Sequence, residues 1–322
     1  MRACPAGAPA RSCAAVRPRR PAATASSRYS SRRVLMTRAS APSGGAAAAG
    51  AQAAPVTPEL VQLAHSLADA AAGVTSRYFR TPVPVDVKSD ASPVTIADRE
   101  AEAAMRQLIA QQAPDHSIFG EEQGYLAGNG SSEWLWVIDP IDGTKSFITG
   151  KPLFGTLIAL LHRGTPVLGI IDQPITKERW LGVAGQRSTL NGQPIATRAC
   201  PSVGDAYLYA TTPHMFAGET EAAFNRVRDA VRIPMYGCDC YAYGLLAAGY
   251  CDLVVEADLK PYDYMALVPI IEGAGGKVTD WRGQPLRWPA GSQGDVTACS
   301  GEVLAAGDAQ AHQQALDLLG WQ

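Results

Sequence analysis

The first strong pattern in the chain is a helical one, which starts near Thr57. Thr57 is a suitable N-cap, and Pro58 suits the first position of a helix. The apolar residues that follow lie three or four positions apart: Leu60, Leu63, Ala64, Leu67, Ala71, Val74 and Tyr78. This spacing predicts a helix with one buried face. A short alternating strand at 85–88 and a second helix from Ile96 to Gln112 are predicted next.

Short apolar runs bounded by turn residues predict the strands of the first half. The segments 117–120 and 134–138 are such runs, and acidic residues follow both of them directly. The other strands and turns of this half are predicted at 155–161, 167–172 and 179–183, with turns at 163–164 and 191–192. The first half therefore combines helices with a run of consecutive strands.

Helices and strands alternate in the second half, which is typical of an α/β arrangement. The predicted elements are helices at 218–230, 241–248 and 264–273 and strands at 252–256 and 277–280. The chain of 322 residues is 47% hydrophobic, enough for a sizeable core. We expect an α/β protein with a boundary near Pro201, between an α+β half at 55–200 and an α/β half at 201–322.

Charge is distributed unevenly along the chain. The first 58 residues contain nine arginines and no Asp, Glu or Lys, so the remainder carries 19 basic against 30 acidic residues. This composition predicts a transit peptide and a disordered linker at 1–54, and the hydroxyl-rich run from Thr24 to Ser31 favours the chloroplast over the mitochondrion. A functionless basic tail and a nucleic-acid-binding arm are the alternatives.

Neither the apolar runs nor the cysteines predict a further class of site. No stretch of about 18 apolar residues free of charge occurs, so no transmembrane helix is expected. Five of the seven cysteines lie beyond the first 58 residues, without a CxxC pair. Reduced thiols are therefore expected, and the run Cys238-Asp239-Cys240 is more typical of packing than of a metal site.

Carboxylates stand at the ends of several predicted elements: Asp98, Glu121, Glu122, Asp139, Asp142 and Asp263. Each alone would suit a solvated turn. Together they could give oxygen ligands to two Mg²⁺ ions about 4 Å apart. Asp139 and Asp142 flank a turn stiffened by Pro140, so both can face one cleft. Ile141 between them can offer only its backbone carbonyl.

Gly143 and Thr144 follow these carboxylates and are predicted to begin a helix. The free N–H groups and the dipole of a helix N-terminus suit a phosphate dianion. Glycine lets the backbone approach closely, and the Thr144 hydroxyl can orient a water molecule. An ordinary helix cap is the alternative, but the two neighbouring carboxylates favour a phosphate site.

Four segments together carry a family resemblance: 120–122, 136–147, 253–266 and 272–276. In this order and at these separations they resemble the inositol monophosphatase superfamily, over roughly residues 57–288. The resemblance implies a layered αβαβα sandwich, Mg²⁺ as cofactor with two or three ions per site, and a homodimer. It also implies a small phosphate ester as substrate, with no role for nucleic acid or membrane.

The same resemblance implies a role for each site residue. The metal positions would be taken by Glu121, Asp139, the carbonyl of Ile141, Asp142 and Asp263. Glu121 and Thr144 would align the attacking water, and Asp98 would orient a water at a weaker third ion. Lys88 matches a basic residue near that ion and would bind the substrate. The family commonly has Trp where this chain has Tyr262, a change that keeps an aromatic wall.

Three further segments, 145–154, 171–174 and 236–244, resemble the histidinol-phosphate phosphatases of the superfamily. Histidinol carries an ammonium and an imidazole. Asp239 and Glu256 could pair with the ammonium, and such pairs would disfavour inositol. By resemblance Glu256 lies where the family contacts its substrate. Asp239 could also be the N-cap of the helix at Tyr241.

Three functions are compatible with the sequence, and hydrolysis of histidinol phosphate is the one we favour. A phosphatase for inositol, galactose or nucleotide phosphates would use the same carboxylates. A catalytically silent regulatory homologue is the third possibility. Loss of a metal ligand would have favoured it, and all the expected ligands are present in the sequence.

Overall fold

The computed structural model describes residues 56–87, 93–130 and 133–321. The helices in these residues are α1 (Pro58–Tyr78), α2 (Ile96–Gln112), α3 (Thr144–Ile148), α4 (Glu219–Ala230), α5 (Asp239–Ala247), α6 (Pro261–Tyr264), α7 (Leu267–Gly273) and α8 (Ala309–Leu319). The strands are β1 (Val85–Val87), β2 (Pro93–Thr95), β3 (Ser117–Gly120), β4 (Gly124–Leu126), β5 (Trp134–Asp142), β6 (Gly155–His162), β7 (Thr165–Gln173), β8 (Glu178–Val183), β9 (Thr189–Leu190), β10 (Gln193–Pro194), β11 (Tyr207–Ala210), β12 (Ile233–Tyr236), β13 (Leu253–Glu256), β14 (Lys277–Thr279) and β15 (Val303–Ala306). Lys88 and the predicted transit segment lie outside the described residues. Among the described helices, none is long and apolar enough to cross a membrane.

Two sheets form the framework of the described residues. The larger has eight strands in the order β10-β9-β8-β7-β6-β5-β3-β4. Within it β3 and β5 are parallel, and the other neighbours are antiparallel. The smaller has the order β12-β11-β13-β15-β14, with β11 parallel to both of its neighbours and β15 antiparallel to both of its own. A separate ribbon of β1 and β2 precedes α2.

The helices and sheets stack in five layers. Helices α1 and α2 pack on one face of the larger sheet, and α5 and α7 fill the space between the two sheets. In the smaller sheet, Val254 and Ala305 face this inner layer, while Val255 and Leu304 face α4 and α8 on the outside. Successive strand residues point to opposite faces, so helices on both sides require strands that are apolar throughout. The expected αβαβα sandwich is confirmed.

Helix α2 has the bounds that the sequence predicts, because its start is fixed by side chains. The Thr95 hydroxyl accepts a hydrogen bond from the Ala97 N–H, and Oδ2 of Asp98 accepts one of 2.8 Å from the Thr95 N–H. This reciprocal pair satisfies N–H groups that a helix start leaves without partners. It also places Asp98 in the first turn, as predicted.

The prediction that β5 ends before Asp139 is wrong, since the strand runs on to Asp142. Its pairing with β6 is irregular between Asp139 and Asp142. Pro140 has no N–H to donate to the neighbouring strand, which interrupts the ladder there. Thr156 of β6 instead donates its hydroxyl to the Pro140 carbonyl at 2.8 Å. Both aspartates are thus held by the sheet itself rather than by a loop.

The second half contains elements that the sequence patterns missed. The predicted helix at 264–273 is two short helices, α6 and α7, because Pro269 cannot donate the hydrogen bond that would join them. Strand β12 was missed because it is an edge strand with Pro234 inside it, and β15 because it is half alanine. Strand β11 and helix α8 were also missed. The boundary near Pro201 stays a prediction, since the inner helices pack against both sheets.

Candidate active site

Three carboxylates from two distant segments meet at the end of β5. Asp139 and Asp142 lie on β5 and Asp263 on α6, and one oxygen of each lies within 4.8 Å of the others. Asp139 is buried, while the other two are half-buried. A set made only of oxygen donors suits a hard divalent cation such as Mg²⁺. The sequence predicted all three, and the tertiary structure brings them together.

The raised pKa values of these carboxylates reflect how unfavourable three anions are here without a cation. Burial raises the pKa of Asp139 well above its ordinary value, and Glu121, Asp142 and Asp263 raise it further. Burial also raises the pKa of Asp142 and that of Asp263, which reaches about 8. Desolvation and like charges both disfavour the ionised form. A bound divalent cation would offset both, so these residues fit Mg²⁺.

The backbone around the cluster is fixed by short hydrogen bonds. The Ile141 N–H donates to Oδ1 of Asp139 at 3.0 Å, and the Thr144 hydroxyl donates to the Ile141 carbonyl at 3.1 Å. On α6, the Lys260 N–H donates to Oδ2 of Asp263 at 2.7 Å. These bonds hold the turn after β5 and the start of α6 in one conformation.

Gly143 is the point where the chain leaves β5 for α3. Its φ of +85° belongs to the left-handed region, which glycine adopts at least cost. A Cβ there would lie 2.8 Å from Oδ2 of Asp239. Conformation and space thus both require glycine. Helix α3 begins at Thr144, as predicted.

Glu121 and Asp98 approach the same cluster from β3 and α2. The Glu121 N–H donates to the Ile138 carbonyl at 3.2 Å, and its carboxyl group hydrogen-bonds that of Asp139. Asp98 is fully buried, and burial and the nearby Glu121 raise its pKa. Its Oδ1 has no hydrogen-bond partner in the described part of the chain. The predicted set converges, apart from Lys88, which lies outside the described residues.

A family model matches the chain over residues 57–317, with the description "Inositol monophosphatase family". The chain belongs to the inositol monophosphatase family. It is therefore a phosphatase, and family enzymes are metal-dependent, generally on Mg²⁺. The silent regulatory homologue considered from the sequence is thereby set aside.

Known proteins are similar to this family member over most of its length. The "Bifunctional phosphatase IMPL2, chloroplastic" of Arabidopsis thaliana is 58% identical, over 80% of this chain and 74% of that protein. A "Histidinol-phosphatase" of Chlorobaculum parvum is 38% identical, over 71% of this chain and 88% of that protein. A solved inositol monophosphatase from Zymomonas mobilis is 48% identical, with a TM-score of 0.72 over 82% of this chain and 98% of that one.

A cavity of about 110 Å³ opens beside the carboxylate cluster of this inositol monophosphatase-family chain. It is lined by Asp142, Thr211, Met215, Asp239, Cys240, Tyr243, Glu256, Leu259 and Asp263. Both acidic residues that the sequence assigned to the substrate, Asp239 and Glu256, are therefore present on its wall. A larger cavity of about 610 Å³ between α1 and β8 contains none of the predicted site residues.

Glu256 is buried at the end of β13 and is held by two donors. The Thr211 N–H donates to its Oε1 at 2.6 Å, and the Tyr243 hydroxyl donates to its Oε2 at 2.8 Å. Burial raises the pKa of Glu256, while these two hydrogen bonds lower it. Tyr243 was not predicted from the sequence, because nothing in a run of apolar helical residues marks one tyrosine as a partner of a buried acid.

Asp239 is not the N-cap of α5, so that alternative is wrong. The N-cap is Cys238, with a φ of +81° and no side-chain cap. Asp239 lies in the first turn, where its Oδ2 accepts a 3.0 Å hydrogen bond from the Ser146 hydroxyl of α3. Burial raises the pKa of Asp239, whereas Ser146, Lys151 and Lys145 lower it. Its carboxylate thus lies against the Gly143 turn.

Proposed function

We propose that this chain is a Mg²⁺-dependent phosphomonoesterase that hydrolyses L-histidinol phosphate to L-histidinol and phosphate. The observation that carries the proposal is the cavity beside the carboxylate cluster, whose wall holds two further acidic side chains, Asp239 and Glu256. A neutral polyol has no charge to offset these two acids, whose anions are disfavoured by desolvation. A substrate with an ammonium group would stabilise both.

The carboxylate cluster would hold the cofactor. Two Mg²⁺ ions would be bound by four carboxylates and one carbonyl: Asp139, Asp142, Asp263, Glu121 and the Ile141 carbonyl. When bound, Mg²⁺ lowers the pKa of water and neutralises charge on the phosphate oxygens. As the family resemblance implies, Asp98 would orient a water at a weaker third ion, and Lys88 would be a basic substrate-binding residue near it.

The residues of the chain would orient the attacking water and the phosphate. The Glu121 carboxylate would take a proton from the water. Because the Thr144 hydroxyl donates to the Ile141 carbonyl, its oxygen lone pairs can accept the water's second hydrogen bond. The N–H groups at Gly143 and Thr144 would bind the phosphate oxygens. The water oxygen would bond to phosphorus in line with the ester oxygen as the ester P–O bond breaks, without a covalent intermediate. The departing alkoxide of histidinol would then take up a proton from solvent.

Asp239 and Glu256 on the cavity wall would recognise the leaving group. Burial raises the pKa of Asp239 and Glu256 because desolvation disfavours their anions. An ammonium group nearby would favour these anions again, through a charge-assisted hydrogen bond. Glu256 already accepts hydrogen bonds at both of its carboxylate oxygens, whereas the hydrogen bond from Ser146 to Asp239 is made at Oδ2. The gain from the amine is therefore expected to depend mostly on Asp239.

Relatives named histidinol-phosphatase support this substrate, including proteins of Mycobacterium tuberculosis and Streptomyces coelicolor at 32% and 34% identity. Hydrolysis of an inositol phosphate is the second candidate, because the solved Zymomonas mobilis structure is titled an inositol monophosphatase. The chloroplast location rests on the arginine-rich segment and on the relative from Arabidopsis thaliana with "chloroplastic" in its name. The homodimer rests on the family resemblance alone.

The deciding experiment is an assay of purified residues 55–322 with Mg²⁺ against three esters: histidinol phosphate, inositol 1-phosphate and galactose 1-phosphate. We expect kcat/KM for histidinol phosphate to exceed the other two by at least about 100-fold, or roughly 2.7 kcal/mol. The Asp142→Asn protein, purified in the same way, controls for contaminating phosphatases. Equal or higher kcat/KM on inositol 1-phosphate would overturn the proposal in favour of the second candidate.

A further inference from the structure

Helix α2 carries a buried polar stripe of which only Asp98 was given a role from the sequence. Asp98, Glu102 and Arg106 are four residues apart and therefore lie on one face of the helix. Asp98 and Glu102 are fully buried, and Arg106 is only 9% exposed. Ionised groups buried in this way are unfavourable unless their hydrogen bonds are satisfied with good geometry.

Two hydrogen bonds to Glu102 come from the turn after β3, and a third comes from Arg106 on the same helix. Its Oε2 accepts from the Glu122 N–H at 2.8 Å, and its Oε1 accepts from the Gln123 N–H at 2.9 Å. Arg106 donates from Nε to the same Oε1 at 2.8 Å, and from Nη2 to the Gly124 carbonyl at 2.5 Å. The pair thus holds three consecutive residues that directly follow Glu121.

Gly120, on the other side of Glu121, packs against the same carboxylate. A Cβ at Gly120 would collide with Oε1 of Glu102, so the carboxylate lies directly against this glycine. Glu121 lies between the two contacts, with its own N–H bonded to the Ile138 carbonyl. Glu102 therefore hydrogen-bonds the backbone that follows Glu121 and packs against the residue that precedes it.

We propose that Glu102, braced by Arg106, is the positioning residue that sets the direction of the Glu121 side chain toward the metal cluster. The inference rests on the proposed role of Glu121 in binding metal and aligning water. A carboxylate that must meet a cation and a water at fixed distances depends on its backbone, because χ angles alone cannot compensate for a shifted Cα. Outer partners of metal ligands typically change metal affinity or activity by about 10- to 100-fold when lost.

The variant Glu102→Gln tests this with little change of volume. Its amide nitrogen is a donor and must face a donor at the Glu122 or the Gln123 side, so at least one N–H loses its acceptor. We expect the Kd for Mg²⁺, measured by calorimetry without substrate, to rise at least about fivefold, and kcat to fall at least about tenfold. KM for the ester should change by less than about threefold, because the cavity wall is untouched.

Asp252→Asn is the matched control for a purely structural effect. Asp252 is also a buried carboxylate, bonded to Arg198 and to the Tyr207 N–H, but it lies at the start of β13, at the opposite end from Glu256. The control should lower Tm and leave kcat and the Kd for Mg²⁺ within about twofold of wild type. If Glu102→Gln also lowers Tm but leaves kcat and the Kd for Mg²⁺ within about twofold of wild type, Glu102 has only a structural role and the inference is overturned.

A second variant covers the case in which Glu102→Gln does not fold. Arg106→Lys keeps the charge beside Glu102 but replaces the planar guanidinium, which bonds Glu102 and Gly124 from two different nitrogens, with a single ammonium. The Kd for Mg²⁺ should therefore rise by about two- to fivefold. An unchanged Kd in this folded variant would overturn the inference. If the wild type hydrolyses none of the esters but binds Mg²⁺, the proposed function fails while the calorimetry still decides the role of Glu102. Wild-type protein that binds no Mg²⁺ overturns both.

Discussion

The backbone N–H of Cys240 donates a 2.6 Å hydrogen bond to Oδ2 of Asp142, although the two residues lie 98 positions apart in the chain. The bond joins the first turn of α5 to the end of β5. Asp142 belongs to the proposed metal cluster. Asp239, which precedes Cys240 on α5, belongs to the proposed substrate wall. Because the proposed metal cluster and substrate wall adjoin here, a substitution in either one needs a control that separates the two functions.

Asp142→Asn should abolish hydrolysis without weakening the metal-free fold. An asparagine oxygen can still accept the Cys240 N–H, and one of the mutually repelling buried anions is removed. The Tm measured in a chelator should therefore be unchanged or higher. Asp229→Asn, at an exposed carboxylate on α4, makes the same charge change and should keep full activity. Residual activity of Asp142→Asn above about a tenth of wild type would contradict the assignment.

The metal-free protein should lose stability as pH rises. The pKa of Asp263 is about 8 in the folded protein, against an ordinary value of 3.8. Between these values the folded state binds more protons than the unfolded state, so the free energy of unfolding falls with rising pH. Calorimetry in a chelator should give a lower Tm at about pH 8.5 than at about pH 5.5, and added Mg²⁺ should raise Tm most at the higher pH.

Asp263→Asn provides the control for this pH dependence. It removes the titrating group, so the fall in Tm between the two pH values should become smaller. A wild-type Tm in chelator that rises over this range would contradict the proposed clustering of anions.

Gly143→Ala should cost more activity than stability alone explains. Alanine at the φ of +85° is strained, and its Cβ would meet Oδ2 of Asp239. Gly192 is the matched control, because its φ is +75° but no atom of the described residues lies within 4 Å of an added Cβ. Each variant should lose about 1–2 kcal/mol of unfolding free energy from backbone strain. Only Gly143→Ala should also lower kcat/KM, by at least about tenfold. An equal kcat/KM in the two variants would argue against a phosphate site at this turn.

Asp239→Asn should change substrate choice. Removing one partner of a buried charge pair typically costs about 2–5 kcal/mol. We therefore expect kcat/KM for histidinol phosphate to fall at least about tenfold, or roughly 1.4 kcal/mol. Hydrolysis of a small phosphate ester without an amine should stay close to wild type, so the ratio of the two kcat/KM values is the quantity to measure.

Ser146→Ala separates the charge of Asp239 from its packing. It removes the 3.0 Å hydrogen bond to Oδ2 but leaves the carboxylate in place. It should affect both substrates by similar, small factors. If Asp239→Asn also lowers both equally, Asp239 serves only the structure and the histidinol proposal loses its main support.

Residues 1–54 should act as a transit peptide and linker and contribute nothing to catalysis. They contain arginine but no acidic residue, and the family match begins only at residue 57. Residues 1–60 fused to a fluorescent reporter should enter plastids, while residues 55–322 should keep the full kcat of the complete chain. Cytosolic reporter, or a lower kcat on deletion, would count against this prediction.

The sequence by itself determined the elements whose signals are local. Helix α2 has its predicted bounds because Thr95 and Asp98 satisfy its first N–H groups. The central strands were found because sheets covered on both faces need continuous apolar runs. The ordered carboxylate segments also indicated the metal cluster and the family, since ligand chemistry depends on residue type and order.

Only the tertiary structure decided which residues hold that cluster in place. Glu102 reaches the turn after Glu121, and Cys240 reaches Asp142, through contacts between segments far apart in the chain. The same holds for Tyr243 on Glu256 and for Asp239, whose carboxylate bonds Ser146 instead of capping its own helix. Hydrogen bonds of this kind depend on how the layers of helices and sheets stack. The periodicity of the sequence does not predict that stacking. Strands β12 and β15 were missed for a related reason, because pairing with a neighbouring strand outweighs weak local propensity.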